Sequence, residues 1–296
     1  MQTLEALSTR LHTTAEIHSI VRTMKSLSAV SIRQFERAVT AMAEYERTIT
    51  LGLQIVLRDG GMALRPGPAD GASGGAALIV IGSDRGLCGR FNDRVCQAAL
   101  DRMKTRTGGE VRHLCVVGQR AAARLETAGH PPDALFSLPG SAEGLVATVH
   151  AAAVEIERWT SGGIVAVSLL FNRRAGAALT EPTERSLLPV PHEDLDGLAR
   201  APWPSRRLPI YRMDRATLFS WLIGQRIFVE LYRAMAESLA SEHASRLAAM
   251  QRAERNIGEL REDLMGEFRQ MRQQAITREL LDILAGFEAT QDGDPA

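Results

Sequence analysis

Two stretches at opposite ends of the chain carry no proline for tens of residues and place apolar side chains at helical spacing. They run from about Thr3 to Leu57 and from about Ile210 to Gly286. At 1.5 Å per residue they would form helices of roughly 80 and 110 Å. Patterns this long indicate a coiled coil, a membrane span or a repeat rather than an ordinary globular helix. No run approaches the roughly 18 apolar residues that a membrane span needs, which leaves helix pairing. A compact segment separates the two, so they should pair antiparallel with both termini at one end. Such a plan points to mechanics more than to chemistry.

Steps of three and four from Leu4 pass through Leu7, Leu11, Thr14, His18, Val21, Lys25, Ser28, Ile32, Phe35, Val39, Met42, Glu46, Ile49, Leu53 and Val56, and 11 of these 16 positions are apolar. An apolar repeat kept over this many heptads meets the coiled-coil criterion. Ile17, Ile20, Met24 and Leu27 keep a second stripe, so this part should face more than one neighbour. The second helix has a seam from Leu222 through Tyr232, Leu239, His243, Met250, Leu260, Leu264 and Met271 to Ala275. There 4-4-3 steps mix with heptads, which brings the repeat close to that of a straight helix and predicts weak supercoiling. The second helix is the longer, so a single-helix tip is expected near Gln273–Gly286.

Between the helices, apolar runs at Ala77–Ile81, Val111–Val117, Leu135–Leu138 and Ile164–Phe171 alternate with helical patterns at Phe91–Arg106, Gln119–Thr127 and Ala142–Trp159. That alternation implies a mainly parallel sheet covered on both faces, a Rossmann-like α/β domain. Leu179–Pro189 reads as an edge strand and Pro191–Pro209 as a proline-rich return segment. The expected division is a shaft helix at 1–57, a loop at 58–75, the α/β domain at 76–190, a linker at 191–209, a second shaft helix at 210–288 and a polar tail at 289–296.

Composition excludes several function classes. Thirty-five basic residues balance 35 acidic ones, so no global field favours nucleic acid. Cys88, Cys96 and Cys115 are odd in number and lack CxxC spacing, against a disulfide framework or zinc site and for a reducing compartment. No Walker or GxSxG signature is present. The loop GSDRGLCGRFN (Gly82–Asn92) sits where a dinucleotide fold puts its glycines, but the first glycine of GxGxxG is missing and Asp84 stands where pyrophosphate would approach. Asp84, Gly86 and Gly89 therefore read as a structural loop, with Gly86 and Gly89 permitting a tight strand-to-helix turn. His18 and His243 fall on the seams, where packing is the ordinary role; neither has ligand-spaced partners for a metal. No catalytic constellation and no cofactor is expected. A Rossmann-type nucleotide-binding enzyme dimerising through its helices is the alternative.

Three segments, Ile20–Gln34 (IVRTMKSLSAVSIRQ), Ser83–Asn92 (SDRGLCGRFN) and Ser241–Gly286 (SEHASRLAAMQRAERNIGEL to ITRELLDILAG), together resemble the gamma subunit of F-type ATP synthases. The resemblance covers both helices and the domain between them. It implies a non-catalytic rotor shaft coupling ion flow to ATP synthesis or hydrolysis. Its implied partners are alpha- and beta-type head subunits, an epsilon-type subunit and a membrane ring of c-type subunits, on the cytoplasmic face of a bacterial inner membrane. By position, Met24 and Lys25 match the segment that faces the catalytic subunits, and Arg246, Gln273, Thr277 and Glu279 match polar positions near the tip. The N-terminal helix has Lys25 where the family carries several lysines, and Gly89-Arg90 replaces its usual glycine pair. These departures suggest a divergent, alternative-type ATPase.

Overall fold

The computed structural model describes residues 3–60, 74–105, 110–176, 180–207 and 209–291. The elements are α1 (Leu4–Gly60), β1 (Gly75–Ile81), α2 (Phe91–Thr105), β2 (Val111–Val117), α3 (Gln119–Thr127), β3 (Ala134–Phe136), α4 (Ala142–Ser161), β4 (Ile164–Arg174), β5 (Thr180–Leu188), α5 (His192–Arg200) and α6 (Arg215–Gln291). Most of the loop expected at 58–75 and the end of the polar tail lie outside the described residues. The chain divides into two compact units. One comprises residues 28–247 and the other 1–27 with 248–296.

In the larger unit a five-stranded sheet has the order β3-β2-β1-β4-β5. β1 pairs in parallel with β2 and β4, β2 in parallel with β3, and β5 lies antiparallel on β4. Period-two alternation sends Ala77, Ile79 and Ile81 to one face, where α4 supplies Leu145, Val149, Ala152 and Ile156 and α6 supplies Leu231, Met235 and Leu239. Leu78 and Val80 point to the other face, against Val95, Cys96 and Ala99 of α2 and Ala121 and Leu125 of α3. A sheet buried on both faces explains the unbroken apolar runs of its strands.

Within this unit α1 and α6 run antiparallel. Phe35 stacks on His243 with ring centroids 5.8 Å apart, and Glu46 meets Arg233 at 2.8 Å. A Cβ at Gly52 would lie 2.9 Å from Leu222. As the α1 numbers rise, their α6 partners fall. The segment of α6 from Leu231 to Ala240 is buried almost all round because it packs on the sheet and on α1 together.

In the smaller unit Leu7, Thr14 and Val21 of α1 are buried, as are Met250 and Leu264 of α6. Lys25 Nζ donates to Glu254 Oε2 at 2.6 Å. All sixteen α1 seam positions are buried or half-buried. On α6 the seam departs at Leu260, which is 44% exposed while Leu264 is 3%, and at its last position, Ala275, which is exposed.

Two further departures are local. The return segment contains α5, which starts directly after Pro191 and buries Leu195 against Ile49, Leu53 and Phe219. Pro fixes φ where a helix can begin, and Glu193 and Asp194 complement the dipole of the first turn. The second long helix begins at Arg215 rather than Ile210, after Asp214 accepts the Thr217 amide at 3.0 Å as an N-cap.

Candidate functional site

The loop after β1 lies at the point where the chain order reverses, between β1 and β4, the usual place for a ligand in an open α/β sheet. Here the chain's own groups fill it. Asp84 Oδ1 accepts the Gln119 amide at the start of α3 at 2.8 Å, and Oδ2 accepts the Leu138 amide at 2.8 Å. Its carboxylate occupies an amide donor at the α3 N-terminus, the kind of group that can otherwise bind an anion. A dinucleotide enzyme would hold its pyrophosphate at the start of α2, the helix after β1, where the first glycine of the fingerprint is missing.

Beneath the loop, Asn92 Oδ1 accepts the Ser83 amide at 3.0 Å while its Nδ2 donates to Ser83 Oγ at 2.8 Å. Asn172, fully buried at the end of β4, donates to the Phe91 carbonyl at 2.8 Å. The expectation for the glycines needs one correction. Gly89 has φ 61, but Gly86 has no positive φ, and the other left-handed residue is Leu87 with φ 62. A side chain at Gly86 would come no closer than 3.8 Å to any group, so neither space nor backbone demands glycine there. The positions that do demand it are Gly82 and Gly118, each directly following a parallel strand. A Cβ on Gly82 would lie 2.2 Å from Ala121 Cβ. Gly118 has φ 115 and lies against the Ser83 backbone. A lone glycine terminating each strand was the sequence signal for both.

Arg246 holds the loop from outside. Its Nε and Nη2 donate to the Gly86 carbonyl at 3.3 and 3.2 Å, and Nη2 also reaches the Arg85 carbonyl at 3.4 Å and Glu242 Oε1 at 2.5 Å. The Arg246 and Glu242 side chains are 5% and 6% exposed. The resemblance groups Arg246 with the tip residues, but it is buried and its donors are taken up inside the chain. Glu242 was not singled out in the sequence. Burial pushes its carboxyl up, and Arg246 pulls it back. Cys88 is buried below the same loop, and desolvation pushes its thiol up, as it does for Cys96 to about 11 and Cys115 to about 12. None of these thiols is set up as a nucleophile.

His243 Nδ1 lies 3.3 Å from Arg246 Nη1, which fits a neutral ring accepting that proton. Burial, then Arg246 and Arg85, lower its pKa to about 4 from 6.5. A histidine held neutral in the native state stabilises it above the unfolded pKa of about 6.5, and that contribution is lost as pH falls toward about 4. The shift is worth about 3 kcal/mol. Denaturant melts at pH 7 and pH 4 should show a loss that is smaller by about this amount in His243→Gln than in the parent. Equal losses in the two proteins would take His243 out of the acid response.

The remaining expected residues fall in the smaller unit. Met24 is half-buried beside Lys25, whose ammonium is held by Glu254. Gln273, Thr277 and Glu279 are exposed, and Thr277 Oγ1 donates to the Gln273 carbonyl at 2.9 Å within the helix. Every described side chain from Arg272 to Leu284 is exposed. They include Ile276 at 48%, Leu280 at 56%, Leu281 at 60% and Ile283 at 68%. On α1, Ile17, Ile20 and Leu27 are 47%, 58% and 62% exposed. Apolar surface of this extent, left uncovered on a helix, marks a protein-interaction site.

Comparison with known proteins gives one consistent answer. The family model described as ATP synthase matches residues 3–290. The ATP synthase gamma chain of Geotalea uraniireducens is 29% identical over 291 residues, covering 98% of this chain and 99% of the relative. That of Rhizorhabdus wittichii is 30% identical over 298 residues, covering 98% and 100%. Among solved structures, a chain of the Euglena gracilis mitochondrial ATP synthase (OSCP/F1/c-ring) matches with TM-score 0.64 at 18% identity, over 99% of this chain and 96% of that one. A chain from the central stalk/c-ring structure of the Tetrahymena thermophila enzyme matches with TM-score 0.55 at 21% identity, over 79% and 99%.

Proposed function

The chain belongs to the ATP synthase gamma-chain family, non-catalytic rotor subunits of the central stalk, and from that premise we propose how its residues couple rotation to catalysis. The smaller unit is the part that turns inside a catalytic head of alpha- and beta-type subunits. The larger unit meets an epsilon-type subunit and a membrane ring of c-type subunits. The chain works peripherally, at the cytoplasmic face of a bacterial inner membrane; among the described residues no helix is long and apolar enough to cross one.

The observation that carries this reading is the exposed apolar surface of residues 276–284, together with Ile17, Ile20 and Leu27. A shaft that must slide past its neighbours gains from apolar contact, which is non-directional, and would stall on fixed ion pairs. Gln273, Thr277 and Glu279 add the few hydrogen bonds that time closure of a catalytic subunit, each worth about 0.5–3 kcal/mol. Met24 and Lys25 act from the other helix. Asymmetry of the two helices lets each catalytic subunit meet a different face, which biases its open and closed states differently. Arg246 contributes at one remove, by fixing the loop that carries Leu87, a side chain 61% exposed.

The test is the combined Gln273→Ala, Thr277→Ala and Glu279→Ala variant in the reconstituted complex. Subunit stoichiometry should be unchanged, while ATP turnover and ion pumping fall together. Normal turnover and normal pumping would remove these three residues from the mechanism.

A further inference from the structure

The edge strand β5 has little apolar side chain to hold it. In TEPTERSLL only Thr180 and Leu187 are buried, and the strand pairs with β4 alone. Charged groups fix it from both faces instead. Adjacent residues of a strand point to opposite faces, and here Glu184 meets Arg102 Nε of α2 at 2.9 Å while Arg185 turns toward α6. Arg185 Nη1 donates to Glu230 Oε2 at 2.8 Å, its Nη2 lies 3.9 Å from Glu237, and its guanidinium stands 5.3 Å from the centre of the Phe171 ring on β4. Glu237 lies 3.8 Å from Arg233, which in turn donates to both oxygens of Glu46 on α1 at 2.8 Å. One chain of charges thus joins the sheet edge to α6 and α6 to α1, wholly within the larger unit.

We propose that this chain, anchored by the Arg185–Glu230 and Arg233–Glu46 hydrogen bonds, is the torsional lock between the shaft helices and the sheet. The inference rests on the shaft reading above. The apolar face of α6 opposes separation from the sheet, but apolar burial is non-directional and resists rolling or sliding of the helix only weakly. The Arg185–Glu230 and Arg233–Glu46 hydrogen bonds are directional, so they oppose the displacement that torque applies, while Glu237, 3.9 Å from Arg185 and 3.8 Å from Arg233, links them by charge alone. The three carboxylates and two guanidinium groups are each partly exposed, between 17% and 36%. Partly exposed pairs add little to global stability. Position, more than stability, is what they secure, and Arg185, Glu230, Glu237, Arg233 and Glu46 are accordingly positioning residues.

The experiment uses the complete complex, with a bead attached through Leu135→Cys on β3, a position 49% exposed. With ATP the bead on the parent chain should rotate; no rotation in an active complex would refute the shaft reading itself. With the head arrested, Arg185→Met should widen the angular spread of the bead, and Glu230→Gln should widen it in the same direction. The melting temperature of the isolated chain should stay within a degree or two, as expected for partly exposed pairs. An unchanged spread in Arg185→Met, or a wider spread that merely follows a large fall in melting temperature, overturns the lock while leaving the shaft reading intact. An unchanged spread in Glu230→Gln removes the Arg185–Glu230 bond from it.

Discussion

Replacing Arg246 by Met should destabilise the larger unit by about 3–5 kcal/mol, the usual result of leaving one member of a buried ion pair without its partner. Arg246 and Glu242 are among the least exposed charged side chains described, at 5% and 6%. Met preserves much of the length and volume of the Arg stem, so the loss is electrostatic more than a packing defect. The carbonyls of Arg85 and Gly86 sit on a partly exposed loop and can turn to water, whereas Glu242 cannot. The effect should therefore depend on pH. Burial already raises the carboxyl of Glu242, and loss of Arg246 raises it further. A carboxyl whose folded pKa lies above its unfolded value favours the fold below the unfolded pKa and penalises it as pH rises through the folded one. The deficit of Arg246→Met should thus be largest near pH 8 and shrink toward pH 5. Urea melts at the two pH values measure it directly. Amide exchange at Arg85–Gly89 should quicken in the same variant. An equal deficit at both pH values would mean that Glu242 is not the group left stranded.

Phe35→Ala is the second large effect, expected at about 3–5 kcal/mol. Phe35 is fully buried where α1 meets α6 and the sheet-facing core, and its ring stacks on His243 at an interplanar angle of 13°. Truncation leaves a ring-sized void among side chains fixed by two helices and a sheet, so collapse around it should be poor. For a chain of this size the loss corresponds to a fall of about 10 °C in melting temperature. Phe35→Leu, which keeps most of the volume, should cost less than half as much. An unchanged melting temperature in Phe35→Ala would mean that the helices do not meet at this residue. Leu260→Ala, by contrast, should be nearly silent because that side chain is off the seam.

The sequence made the long elements legible because their signals are local. Val111–Val117 and Gln119–Thr127 fall where the run of β-branched residues and the following amphipathic pattern put them. The α1 seam is a one-dimensional pattern and could be counted. What escaped depends on atoms that a sequence does not label. α5 was hidden by the prolines around it and by Gly197 within it, and its reason for being helical is tertiary, the burial of Leu195 between α1 and α6. Arg246 was grouped with polar positions near the tip because its partners, two backbone carbonyls, the His243 ring and a carboxylate one turn earlier, carry no label in the sequence. Asp84 was seen to oppose a phosphate, but not that its carboxylate would accept the Gln119 and Leu138 amides. The role of Gly118 needed its φ of 115, and that of Gly82 the closeness of Ala121. For the residues at 273–279, sequence and structure agree on exposure, and what they touch belongs to the assembled complex.

A reversible cross-link from the exposed helix end to the head asks most directly whether the chain turns. Cys88, Cys96 and Cys115 are all buried, so a single Leu280→Cys substitution supplies the one accessible thiol among the described residues. Joined by a disulfide to a cysteine on a catalytic-head subunit, it should stop ATP turnover by the complex, and reductant should restore it. Turnover that continues unchanged with the cross-link complete would contradict rotation of this chain within the head.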